Sequence, residues 1–240
     1  MDPVRRPNAA TVVADRIRDY IVEVGLGPGD PLPTEAVLCD ELGVSRSSVR
    51  EALRRLDALD FVEVRHGSGS FVGEVSLKPL VESVSFRGLI DRRSAAETLR
   101  DIVEVRRALD LGHAELVVDA LTGTRQDRLR SLVTSMVERA GRGEHFPDED
   151  RAFHAELLRG ASPNLLAENL LSAFWDIHTT LVGDFEMSPP KDIALTAAAH
   201  GAMLDTAVAG DLEGYREAVK QHYAPLLRAL GGAAPDHAVR

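Results

Sequence analysis

Apolar positions recur with a helical period at the start of this chain, switch to strict alternation near residue 60, and return to the helical period for the rest. Thr11 to Val24 carries Val13, Ile17, Tyr20, Ile21 and Val24, spaced to line one face of a helix. Gly25 to Pro33 holds three glycines and three prolines in nine residues and reads as a loop. Glu35 to Leu42 is a short helix that Gly43 stops. Ser45 is placed to cap a second helix, because its hydroxyl can accept an orphan N–H of the first turn. The core face of that helix is Val49, Ala52, Leu53 and Leu56, and the opposite face is Arg46, Ser47, Arg50 and Arg54. Phe61 to Arg65 and Ser70 to Val72 alternate, and His66-Gly67-Ser68-Gly69 between them reads as a hairpin turn. Helix, glycine turn, arginine-bearing helix and hairpin together predict a winged helix-turn-helix over residues 1–73.

No strand pattern follows the hairpin. Residues 74–94 read as a linker with one short helix around Leu80 to Leu89. Ser94 is expected to cap a long helix, Ala95 to Ala120. Further helices are predicted near Thr124 to Ala140, Glu149 to Arg159, Asn164 to Asp184, Lys191 to Ala209 and Asp211 to Leu230, and residues 233–240 as a disordered tail. The fold expected is therefore mainly α: an N-terminal winged helix and, over residues 95–232, an antiparallel all-α bundle of six or seven helices.

Composition narrows the function. An apolar content of 44% supports a full core, and no apolar run approaches the roughly 20 residues of a membrane helix. The start has no apolar segment fit for a signal peptide, and a single cysteine, Cys39, suits a reducing cytoplasm. A net charge of −10 argues against indiscriminate coating of nucleic acid, but site-specific binding needs positive charge only at the docking face. Arg46, Arg50, Arg54, Arg55 and Arg65 supply it, with Arg54 and Arg55 also readable as a solvated face, where Arg55 is placed. An arginine at position 46 or 50 can reach guanine O6 and N7 with two hydrogen bonds, and Ser47 and Ser48 are short donors for phosphate or base edges.

The helical half contains a second pattern. Asp150 and His154 stand at i and i+4 on one helix face. His200 lies ten residues before Gly210 and His222 twelve after it, so a tight turn there would bring the two histidines face to face. One carboxylate and three imidazoles on three helices can bind Zn²⁺, Ni²⁺ or Mn²⁺; the same residues also suit a solvated surface pair and structurally satisfied core histidines.

A family resemblance sharpens both halves. Leu32-Pro33-Thr34-Glu35, Gly43-Val44-Ser45-Arg46 and Val49-Arg50-Glu51-Ala52-Leu53, with the glycine-rich wing, resemble the DNA-binding domain of GntR-family transcription regulators over about forty gapless residues. That likeness implies that His66 and Gly67 at the wing tip reach the minor groove. Two positions depart from the family pattern: Ala36 stands where an arginine commonly follows the glutamate, and Asp60 where a glycine often precedes the wing strand. The later half, with Asp150-x-x-Phe153-His154, His200 and His222, resembles the FCD effector-binding domain. It implies that Asp150, His154, His200 and His222 hold a divalent metal, zinc first, with nickel or manganese as alternatives. It also implies that Arg106 on the first long helix pairs with an effector carboxylate; the residues alone equally allow a surface ion pair of Arg106 with an acid such as Asp110. His178 could line the same cavity, while His113, His145 and His237 read as surface or loop residues.

The function expected is a cytoplasmic, metabolite-responsive transcription regulator, a repressor rather than an enzyme. It would act as a homodimer on a near-palindromic double-stranded operator, with a small organic acid as effector. The rivals are a regulator with a purely structural metal, and a metal-dependent hydrolase fused to a winged helix; no His-Glu-x-x-His signature or adjacent general base supports the latter.

Overall fold

A computed structural model of the chain describes residues 9–90, 92–161, 164–184 and 192–231, with backbone alone for 92–94 and 184. The expected tail 233–240, the Ser188-Pro189-Pro190 break and the Lys191 helix start lie outside these residues. The chain divides into two compact units at Pro79 and Leu80. Among the described residues there are eleven helices and one two-stranded antiparallel hairpin.

The first unit comprises α1 (Ala9–Val24), α2 (Glu35–Leu42), α3 (Arg46–Asp57), β1 (Val62–Arg65) and β2 (Gly69–Val72). Thr34 and Ser45 cap α2 and α3 by accepting N–H bonds from Val37 and Ser48, and Gly43 ends α2 in the left-handed region at φ 62°. Val13, Ile17, Leu38, Val49, Leu53, Leu56, Val62 and Val72 close one core. The hairpin pairs Val62 with Val72 and Arg65 with Gly69.

The segment expected to be a plain loop, Gly25 to Pro33, does more than connect. Leu32 N–H donates to Ser70 O, Val72 N–H to Asp30 O and Gly29 N–H to Val72 O, each at 2.9 Å, so Gly29 to Leu32 runs along β2 as a third, irregular strand. Its prolines hide this from a pattern reading; they are tolerated because the segment is an edge. Asp60 adopts φ 58°, the conformation that explains a glycine preference there. Aspartate tolerates it, and here its carboxylate accepts the Ser76 N–H at 2.9 Å while its carbonyl accepts that of Val75. A Cβ on Gly73 would meet the Asp60 carbonyl oxygen at 2.4 Å, so the chain passes this turn only as glycine.

The second unit is built from α4 (Lys78–Ile90), α5 (Arg92–Gly112), α6 (Ala114–Leu121), α7 (Asp127–Gly141), α8 (Pro147–Ala161), α9 (Leu165–Asp184), α10 (Ile193–Ala209) and α11 (Leu212–Gly231). Two expectations need correction. The long helix begins at Arg92, so Ser94 lies inside its first turn and is not the cap. It also does not run unbroken to Ala120: it stops at Gly112 and restarts at Ala114. At His113 (φ −98°, ψ 3°) the ring Nδ1 sits 2.8 Å from the Leu109 carbonyl, a side-chain bond that competes with helix continuation next to a weak helix former. The short helix expected in the connection is α4, thirteen residues long, with Gly88 packed on Leu181 of α9. Gly210, left-handed at φ 75°, turns α10 into α11 as an antiparallel pair. Leu99, Val103, Met136, Phe153, Ile177, Leu181, Met203 and Val219 form the core.

Replacing Asp60 by alanine should cost the first unit about 1–3 kcal/mol, combining the left-handed penalty with one lost hydrogen bond. Asp60→Gly, which keeps the turn but not the bond, should cost less. Urea midpoints that rank the two variants in the opposite order would refute this account of the turn.

Candidate nucleic-acid interface and metal centre

The candidate recognition surface follows from the packing of α3. With Val49, Ala52, Leu53 and Leu56 buried, Arg46, Ser47, Arg50 and Arg54 are turned to solvent and Ser48 is half-buried. Ser45 Oγ lies 2.8 Å from Ser47 Oγ and 3.0 Å from Ser48 Oγ, so both serines are drawn to the cap. Arg50 is not free: its Nε donates to both carboxylate oxygens of Glu35, at 2.9 and 3.1 Å. Glu35 was not singled out from sequence; the acid preceding Ala36 was the available signal. Arg46 and Arg54 have no protein partner among the described residues, and Ala36 is exposed. Arg55 is indeed off this face, but it is not merely solvated, since it donates to Thr11 Oγ1 at 2.9 Å and ties α3 to α1. His66 and Gly67 form the exposed wing tip, Gly67 at φ 77°. Arg65 folds its guanidinium over Phe71, 4.2 Å from the ring centre, and pairs with Glu63 at 2.7 Å.

In the second unit, Pro147 opens α8 and three acids follow in its first turn, where the positive helix end favours them. The last of these is Asp150, with His154 one turn on. The alanines and Gly201 around His200 let α10 lie close to its neighbours, and Phe153 and Phe146 enclose that imidazole edge-on at 5.0 and 6.2 Å. The ligating atoms of Asp150, His154, His200 and His222 all lie within 4.8 Å of one another, the histidines buried and Asp150 keeping 14% of its side chain exposed. Asp150 Oδ1 is 3.2 Å from His154 Nε2 and 3.1 Å from His200 Nε2. His154 Nε2 and His222 Nε2 are 3.2 Å apart. Two imidazole nitrogens at that distance repel as two lone pairs or as two N–H groups, so the pair needs a shared proton or a cation. The donor set, three imidazoles and a carboxylate without thiolate, fits a borderline divalent ion.

Outer partners orient the rings. His200 Nδ1 faces the Thr196 carbonyl at 2.8 Å. His154 Nδ1 lies 3.0 Å from Asp110 Oδ2, close enough for an ion pair though not aligned as a hydrogen bond, and Tyr223 OH donates to the same oxygen at 2.6 Å. Asp110 was read from sequence only as a surface partner for Arg106; instead it supports the cluster from behind, as carboxylates do for metal-bound histidines. Burial disfavours the charge on His154, yet Asp110 and Asp150 outweigh it and raise the imidazole to about 9. Burial likewise opposes ionisation of Asp150, but His200 and His154 hold it well below the ordinary carboxylate range. His222 is driven well below an ordinary imidazole, first by burial and then by the charge of His200.

Arg106 is no surface residue: it is 1% exposed. Its guanidinium lies over Trp175 of α9, 3.7 Å from the ring centre, with NH1 3.5 Å from His178 Nδ1. Its Nε has no hydrogen-bond partner, and among the described residues it has no ion pair. Burial and then the Arg106 charge lower His178 to about 4, so it is neutral at physiological pH. Arg106, His178, Asp150 and His222 line a cavity of about 140 Å³ with Leu99, Phe146, Trp175, Val182, Ile193 and Leu226, and exposed His145 stands at its edge. Trp175, which lies under the guanidinium, carried no sequence signal beyond its apolar character.

A winged helix followed by a helical bundle that encloses a histidine–carboxylate cluster beside a cavity is the build of a DNA-binding regulator. Residues 9–72 match "Bacterial regulatory proteins, gntR family" and residues 101–225 the "FCD domain". The chain is 33% identical over 147 residues to the HTH-type transcriptional regulator LutR of Bacillus subtilis, covering 61% of this chain and 65% of LutR, a little under two thirds of its length. It is 29% identical over 218 residues to an Escherichia coli protein named for regulation of an L-lactate dehydrogenase operon, 88% of this chain and 81% of that one. The solved structure titled "Streptococcus agalactiae GntR" superposes with a TM-score of 0.62 at 25% identity, covering 91% of this chain and 99% of that one. The chain belongs to the GntR family of bacterial regulatory proteins, with an FCD domain as its second half, and is a DNA-binding transcription regulator rather than an enzyme. Among the described residues no helix is long and apolar enough to cross a membrane.

His154 gives this site a pH signature. Its value in the folded, ion-free chain lies above the ordinary 6.5, so its ion pairs stabilise fully below about pH 6.5 and are lost as pH rises through about 9. In chelator-stripped protein the melting temperature should fall across that window, and His154→Gln should flatten the slope. An equal slope in the variant would place the titration elsewhere.

Proposed function

We propose that this chain is a cytoplasmic repressor whose helical half binds a divalent metal and a small carboxylate, and that the acid loosens its grip on DNA. Two copies would place their α3 helices in successive major grooves of a near-palindromic operator. Arg46 and Arg50 would read base edges, Ser47, Ser48 and Arg54 would contact backbone or base edges, and His66 with Gly67 would enter the minor groove. Glu35 would hold the Arg50 guanidinium in one orientation before contact, and Ala36, in place of the family's arginine, would cost one contact or change the base read.

The single observation that carries the sensing half is Arg106: a buried cation with an orphaned Nε and no ion pair among the described residues, lining one cavity with Asp150 and His222 of the cluster. A buried charge of this kind is costly without a partner, and a carboxylate is the partner whose geometry matches its fork. Asp150, His154, His200 and His222 would hold the metal, zinc first, with nickel or manganese as alternatives. The ion would supply a second positive centre for an acid oxygen. His178, neutral and stacked beside Trp175, would accept or donate one hydrogen bond to the bound acid. Binding one domain arrangement more tightly than the other is what would let the acid shift operator affinity. The Escherichia coli relative named for a lactate operon is consistent with an acid signal.

Native mass spectrometry of the purified chain, together with operator titrations with and without chelator and carboxylic acids, tests the whole reading. His200→Ala should lower bound metal per chain, and full metal content would remove His200 from the ligand set. Arg50→Ala should weaken operator binding by about 1–3 kcal/mol relative to unrelated DNA while the melting temperature holds. Arg106→Ala should abolish the response to acids while operator affinity without acid stays close to normal. A wild-type chain whose operator affinity ignores every acid tested would leave the metal a structural role and sink the sensing half.

A further inference from the structure

The cavity beside Arg106 has a mainly apolar lining. Leu99, Val182, Ile193 and Leu226 contribute to it, and Thr179 and Thr196 join Arg106, Asp150, His178 and His222 among its polar residues. Arg106 is the one lysine or arginine among its lining residues. His145 is exposed, so a distal charge reaching it would be paired in water, where such pairing is weak. At about 140 Å³, and with roughly 10–15 Å³ needed per water-sized group, the space holds on the order of ten non-hydrogen atoms.

We infer that the effector is a monocarboxylate with an apolar tail of roughly five to seven non-hydrogen atoms, and that dicarboxylates, tricarboxylates and sugar acids are disfavoured. This rests on the reading of Arg106 as the carboxylate's partner and narrows it to a ligand class. The head group pairs with Arg106 and shares the metal with it. The lining offers a second carboxylate no further lysine or arginine, and two threonine hydroxyls are too few to satisfy a row of sugar hydroxyls stripped of water. Each methylene laid along the apolar lining instead leaves water and tightens binding by about fourfold.

The test is calorimetric titration of the zinc-loaded full chain with acetate, butanoate, hexanoate and octanoate, against succinate, adipate, citrate and gluconate. Affinity should rise about fourfold per methylene from butanoate to hexanoate, and hexanoate should bind at least tenfold tighter than adipate, which differs only in carrying a second carboxylate. Adipate, citrate or gluconate matching hexanoate would overturn the ligand class while leaving the carboxylate site standing. No binding by any acid would remove Arg106's role as well, and the inference with it. Ile193→Lys provides a second check, because residue 193 is half-buried in the first turn of α10 and on the cavity wall. The added cation should bring the hexanoate-to-adipate ratio close to one; an unchanged ratio would show that the tail does not lie against α10.

Discussion

Three imidazoles and one carboxylate share a buried space in which their ligating atoms stand within 4.8 Å. With Asp110 behind them they tie four helices of the second unit to one point. Asp150 and His154 fix the rotation of α8, His200 that of α10 and His222 that of α11, and Asp110 adds α5 from behind. A rotation of any one helix by a single residue would point its contribution away and leave the remaining nitrogens buried and unmatched, at a cost of about 1–3 kcal/mol each. The packing of small residues beside His200 and the phenylalanines around it serve this one convergence.

The same helix that braces the cluster faces the cavity. Arg106 and Asp110 are one turn apart on α5, the first stacked on Trp175 and the second against His154 and Tyr223. On the proposed reading, an acid at Arg106 and an ion at the cluster would both press on one rigid element, which gives the two a physical reason to influence each other. In the first unit a comparable economy holds: Glu35, one residue after the cap of α2, restrains Arg50 of α3, one of the arginines proposed to read base edges. An arginine already ordered loses less freedom on contact than one waving in solvent.

Much of this was legible beforehand, and the failures have identifiable causes. The winged helix could be read because each signal is local: a cap at Ser45, a stop at Gly43, four core positions on α3 and an alternation broken by glycines. The metal-capable quartet could be read from the i, i+4 pair and from the turn at Gly210, which sets two histidines opposite each other. Long-range pairings were not legible. Asp110 looked like an ordinary acid one turn from Arg106, since nothing local says that α8 passes beside it. Arg106 could equally have been a surface residue; only the arrival of Trp175 and His178 on α9 buries it. Ser94 looked like a helix start because serine favours that place, but a helix can begin earlier whenever packing extends it. The glycines and prolines of Gly25 to Pro33 spelled a loop, and the partnership of that segment with β2 lies in backbone groups that no side-chain pattern announces.

That partnership has a consequence for solubility. A small hairpin normally leaves two rows of unsatisfied backbone groups along its flanks, an invitation to stick to another hairpin of the same kind. Here Gly29 to Leu32 occupies the flank of β2, and on the far flank the Val64 N–H is taken by the Asp57 carboxylate at 3.0 Å. The flank of β2 is thus covered by the chain itself and one outward N–H of β1 is satisfied, which narrows the strand-to-strand route by which crowded copies would aggregate.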